Sequence, residues 1–191
     1  MGASNKALDQ AAKSALQNHC FKITTSLDSL PVTSQDKWIV ADERARLSML
    51  KGRGSWSQDA FDRCINILAR NKAGFFMMAE GAQVDHGAHD NNLPWLATEV
   101  MDFDQLVGRA LQFADTNGET LVIVTADHET GGLTLLDGNY DSSYISARFV
   151  TDDHTLFQYP FLPMAPIPGF SAACMRILRC FIRSCRPWIF P

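Results

Sequence analysis

Acid is missing from the end of this chain: residues 156–191 contain four arginines and no Asp or Glu. The whole chain has a formal charge of −4, so residues 1–155 carry −8. An acidic body of this kind offers no electrostatic footprint for nucleic acid or an anionic membrane, and neither is expected as a partner. Any CxxC pair is missing too. The five cysteines (Cys20, Cys64, Cys174, Cys180 and Cys185) are odd in number and scattered, which argues against a disulfide framework and against a cysteine-built zinc site. The first twenty residues lack an apolar core segment, so no signal peptide is read there. A 21-residue uncharged stretch, 155–175, contains Pro160, Pro163, Pro166 and Pro168, and a membrane-spanning helix would not tolerate four prolines. There are no internal repeats. What is present is an ordinary globular composition, 46% hydrophobic and 20% charged, in a chain long enough for one domain with a core.

Periodicity reads residues 5–18 as a helix, 21–25 and 37–41 as short strands, and 26–36 between them as loop. Residues 47–58 are polar, contain Gly52 and Gly54, and read as loop. In 59–71, Phe61, Cys64, Ile65, Leu68 and Ala69 fall on one helical face. In 99–115, Phe103, Leu106, Val107, Ala110 and Ala114 do the same, with Asn117-Gly118 as the stop. Two continuous apolar runs, GFFMMA at 74–79 and TLVIVTA at 120–126, have the length and composition of strands buried on both faces; 144–150 reads as a further strand. Strand, helix and strand in succession predict an α/β fold with a mainly parallel sheet flanked by helices.

Both apolar runs end abruptly in acids and histidines. The first is followed by Glu80 and then Asp85, His86 and His89; the second by Asp127 and His128. Asp152-Asp153-His154 forms a third group. In open α/β sheets, the carboxyl ends of strands are where ligands bind. Asp85 and His89 are four apart, so one helical turn puts them on the same face, and a carboxylate oxygen beside an imidazole nitrogen suits Zn²⁺. Glycines next to both groups would let backbone approach closely. Four of the five histidines lie in these three places; His19 reads as a surface residue.

GFFMMAEGAQVDHGAH at 74–89, EVMDFDQLVGRALQFA at 99–114, TLVIVTADHETGGLT at 120–134 and TDDHT at 151–155, with ITTSLDSLP at 23–31, resemble the bacterial type of the alkaline phosphatase family in order and spacing. The similarity runs from about residue 5 to Thr155. It implies part of a three-layer fold with a mainly parallel central sheet. It implies hydrolysis of small phosphate monoesters with two Zn²⁺ and one Mg²⁺, homodimers of the full-length protein, and a periplasmic or extracytoplasmic location. By the same resemblance, Asp85, His89 and His154 would hold the first zinc, and Asp127 and His128 the second. Glu80 would hold the magnesium, and His86 would stand beside the metals and adjust them.

The family pattern is incomplete here. The nucleophilic serine of an Asp-Ser-Ala motif, an aspartate bridging two metals and a phosphate-gripping arginine find no match in residues 1–191, and the resemblance implies that this is the C-terminal portion of the family domain. Asp28-Ser29-Leu30 matches a non-catalytic part of the pattern and is not read as the nucleophile. From residue 156 the Cys, Arg and Pro content changes sharply. Residues 1–155 therefore read as phosphatase-like and 156–191 as a poorly ordered tail, either divergent or from a shifted reading frame.

Overall fold

In a computed structural model of the chain, the described residues are 8–31, 33, 36–139, 141–155 and the backbone of 162–163. They belong to two units, residues 1–109 with 126–159 and residues 110–125 with 160–191.

In the first unit, α1 (Gln10–Asn18) starts at Asp9, whose carboxylate accepts the Ala12 N–H at 2.7 Å. β1 (Phe21–Thr24) pairs in parallel with β2 (Lys37–Val40). Between them, the expected loop contains a 3₁₀ turn, Leu27–Ser29. Leu27, Leu30, Val40 and Ala60 form the buried cluster, with Trp38, Trp56 and Ile67 packed against it. Asp42, 4% exposed, holds this corner together. Its carboxylate accepts the Leu27 N–H at 2.9 Å, and the Arg44 side chain at 2.8 Å. Burial alone would raise its pKa, but the bonds from the Arg44 side chain and from the Leu27 and Arg44 amides outweigh it and push the carboxyl below the ordinary range. A depressed carboxyl stabilises the fold above its unfolded pKa, and that contribution is lost as the pH falls below about 4. Asp42→Ala should cost about 2 kcal/mol at pH 7, because it orphans a buried amide. In urea unfolding, the gap between variant and parent should narrow at pH 3.

α2 (Trp56–Leu68) begins three residues before the expected start and buries Phe61 and Ile65 as the spacing requires. It claims residues 56–58 from the expected polar loop, and Met49–Lys51 of that loop is a 3₁₀ turn. α3 (Ala82–His89) is short. α4 (Leu93–Asn117), whose residues 110–117 belong to the second unit, starts six residues before the expected one, because the Asn92 side chain accepts the Trp95 N–H at 3.1 Å and Pro94 sits where no amide is needed. Two antiparallel pairs follow: β4 (Glu129–Thr130) with β7 (His154–Thr155), and β5 (Thr134–Asn139) with β6 (Tyr144–Arg148). In the second unit, β3 (Ile123–Val124) pairs antiparallel with β8 (Leu162–Pro163).

The expected parallel central sheet is not found among the described residues, where β1–β2 is the one parallel pair in four two-stranded sheets. Residues 74–79 belong to none of these sheets, and Phe76 and Met78 are 81% and 79% exposed. Of 120–126, Ile123–Val124 alone is paired. The reason is physical. An apolar run says which faces want burial but does not supply a neighbour, and a strand exists only through its ladder. The start of the helix expected from residue 5, and the tail after residue 155 apart from the backbone of β8, lie outside the described residues.

Candidate metal centre

α3 and the β4–β7 pair bring three separated residues together. Asp85 and His89 stand one turn apart on α3, with His89 Nε2 3.5 Å from Asp85 Oδ2. The register Thr130↔His154 sets His154 across from β4, so that its Nε2 lies 3.1 Å from His89 Nε2 and 3.8 Å from Asp85 Oδ1. Gly131 and Gly132 make this approach feasible. Both have positive φ, +87° and +57°, and a Cβ on Gly132 would fall 2.3 Å from Val150. The Gly131 N–H donates to the Asp153 carbonyl at 3.0 Å, tying the turn to the segment that carries His154.

The two imidazole Nε2 atoms stand 3.1 Å apart, and the Asp85 carboxylate closes the triangle with Oδ2 3.5 Å from His89 and Oδ1 3.8 Å from His154. Ligands around a tetrahedral zinc, each about 2.0–2.2 Å from it, stand about 3.3 Å apart. The three groups approach on that scale, with one ligand atom from each within 4.8 Å of the others, and Asp85, His89 and His154 can hold a metal ion with a coordination position left over.

The hydrogen bonds prepare these donors. His89 Nδ1–H donates to the Asp152 carbonyl at 2.6 Å, which leaves Nε2 with its lone pair toward the other two. That carbonyl, with the charges of Asp85, Asp153 and Asp152, raises the His89 pKa. Thr130, itself buried, donates its hydroxyl proton to Asp85 Oδ1 at 2.5 Å. That proton is then spent, so His128 Nδ1, 3.2 Å from Thr130 Oγ1, must be the donor there. His128 Nε2 lies 3.4 Å from Asp127 Oδ2. The His128 ring stacks on His154 with centroids 3.6 Å apart, and its Nδ1 is 4.0 Å from Asp85 Oδ1.

The other sequence candidates lie outside the triangle. The Asp127 side chain is 88% exposed and approaches His128 alone among the described residues. Glu80 is exposed ahead of α3 and takes no part in the triangle. His86, also exposed, lines a separate pocket with Ser48, Lys51 and Trp95.

A sequence profile of alkaline phosphatases matches residues 56–161. The chain belongs to the alkaline phosphatase family. Alkaline phosphatase 4 of Bacillus subtilis is 51% identical over 71 residues, 37% of this chain and 15% of that protein. The alkaline phosphatase of Escherichia coli K12 is 48% identical over 67 residues, 35% of this chain and 14% of that protein. Among solved structures, the alkaline phosphatase of the Antarctic bacterium TAB5 superposes with a TM-score of 0.65 at 37% identity, covering 76% of this chain and 45% of that one. A mutant of the same enzyme with Mg bound in its M3 site superposes at 0.69 over 82% of this chain and 50% of that one, at 34% identity. The chain thus spans about half the length of these solved relatives.

This alkaline phosphatase family member carries supporting groups whose roles the sequence did not reveal. Thr130 orients Asp85, the Asp152 carbonyl orients His89, and Glu129 accepts the Gly132 and Leu133 amides and the Thr155 hydroxyl. Their signal was position alone, since each is within two residues of a candidate ligand. Thr130→Val keeps the shape and removes the bond to Asp85. Zinc affinity should fall about 10–100-fold in a competition titration with a chromophoric chelator.

Proposed function

We propose that this chain supplies the metal-holding part of a phosphatase that hydrolyses small phosphate monoesters. The observation that carries this reading is the Asp85–His89–His154 triangle, with His128 stacked on it, in a chain of this family. We assign those three to a first zinc, Asp127 and His128 to a second, Glu80 to a magnesium, and His86 to adjusting the group. The 3.4 Å approach of His128 Nε2 to Asp127 Oδ2 supports the second assignment. Bound zinc would supply Lewis acidity and bring proton loss from water near neutral pH.

The residues would contribute as follows. One carboxylate and two neutral imidazoles leave a dication with surplus positive charge, which favours an approaching phosphate dianion. Asp152 and Thr130 hold His89 and Asp85 in place, so little reorganisation accompanies loading. The central sheet of the family fold and a homodimer of the full-length protein belong to the same reading, as does an extracytoplasmic location. No helix among the described residues is long and apolar enough to cross a membrane.

The family's serine, bridging aspartate and phosphate-gripping arginine have no match in residues 1–191, so the chain alone should bind zinc and turn over little. Elemental analysis and a chromogenic phosphate ester, with and without chelator, test both parts. Zinc with background turnover is the expected result. Chelator-sensitive turnover at an ordinary enzymatic rate would show the chain to be active alone, and absence of zinc would remove the whole reading.

A further inference from the structure

Beside the metal cluster, α3 borders a second feature. A pocket of about 340 Å³, the scale of a small-molecule site, is lined by Arg46, Ser48, Lys51, Gln83, His86 and Trp95. None of its lining residues is acidic, in a chain whose residues 1–155 carry −8. Its walls are held in place. The Gln83 amide donates to the Arg46 carbonyl at 3.1 Å, and the Lys51 ammonium sits 5.7 Å from the centre of the Trp95 ring.

Ser48 and Trp95 bring unused donors to this pocket. Ser48 is 3% exposed, and its oxygen accepts the Lys51 amide. No acceptor for its own proton is recorded among the described residues. The Trp95 indole N–H is buried without a partner among those residues. The first turn of α3, which contributes Ala82 and Gln83 to the lining, has no side-chain cap, so its leading amides are open to an acceptor, although the same turn carries the Asp85 carboxylate.

The geometry points to an oxyanion-binding site in this pocket, suited to the phosphate or carboxylate group of a small organic anion. Lys51 supplies charge, beside Arg46 whose guanidinium stands 3.9 Å from Glu43, and Ser48, His86 and the start of α3 supply hydrogen bonds. Asp85 and His86 are consecutive on α3, so the pocket adjoins the metal cluster. Its use is to hold a second anionic group of the ester, favouring substrates with more than one anionic group; that use rests on the hydrolase reading, whereas the site itself does not.

The test uses the full chain with chelator present and inorganic phosphate as probe, followed by calorimetry and by the Trp95 indole N–H resonance. Saturable binding in about the millimolar range is expected. It should weaken about tenfold on Lys51→Gln, further on Lys51→Glu, and with added salt, while His154→Ala leaves it unchanged. Lys51 is exposed, so both variants should fold. Absence of saturable binding would overturn the assignment. So would binding that Lys51→Glu leaves intact, or binding that chelator and His154→Ala both remove. Failure of the hydrolase reading is seen separately, as absence of zinc with phosphate binding retained.

Discussion

Replacing His154 by alanine is expected to lower zinc affinity about 100-fold or more, the largest functional effect of any single change here. Structural zinc sites with four ligands bind with about 10–16 kcal/mol, or roughly 3–4 kcal/mol per ligand, which is two to three decades in affinity. His154 also reaches both other members of the triangle, at 3.1 Å from His89 and 3.8 Å from Asp85. The variant should stay folded, because the side chain is 44% exposed. A competition titration measures the loss. His19→Ala, at an exposed position outside the cluster, serves as control and should bind like the parent. Equal affinity in the two variants would mean that the triangle is not the zinc site.

Arg53→Ala is expected to cost about 3–5 kcal/mol, a large part of the roughly 5–15 kcal/mol that holds a typical domain together. Arg53, Glu99 and Asp102 are 8%, 2% and 4% exposed. The guanidinium bonds to Glu99, to Asp102 at 2.9 Å and to the Leu47 carbonyl at 2.9 Å. Two carboxylates against one guanidinium leave an excess negative charge, met by neutral donors: the Met49 amide on Glu99, and Ser57 and Gln58 on Asp102. Without Arg53, two buried charges stand uncompensated. Adding Glu99→Gln and Asp102→Asn to Arg53→Ala should therefore recover part of the loss, since the charges go with their partner. Denaturant unfolding of the single and triple variants measures this. A triple variant no more stable than the single one would mean that charge burial is not the cause.

The same network shows why residues 47–58, rightly read as loop up to residue 55, were not read as an anchored segment. Gly52, Gly54 and the surrounding polar residues signal a loop, and nothing local reveals that Arg53 anchors the segment to α4 through acids 46 and 49 positions away. A polar residue reads as solvated until a partner appears, and the partner here is a matter of tertiary contact.

By itself, the sequence determined what depends on neighbours within a turn or two. The helical period placed Phe61 with Ile65 on the buried face of α2 and Asp85 with His89 on α3, because side chains three or four apart share a face wherever the helix lies. The runs at 21–25 and 37–41 became β1 and β2, although their parallel pairing was not specified locally. Tertiary structure decided the rest. Residues 74–79 stand outside the described sheets, since apolar character cannot create a ladder partner. His154 lies 65 positions from His89 and reaches it through the two-residue β4–β7 register and the turn at Gly131–Gly132. Only a folded backbone can bring together ligands so far apart in the chain.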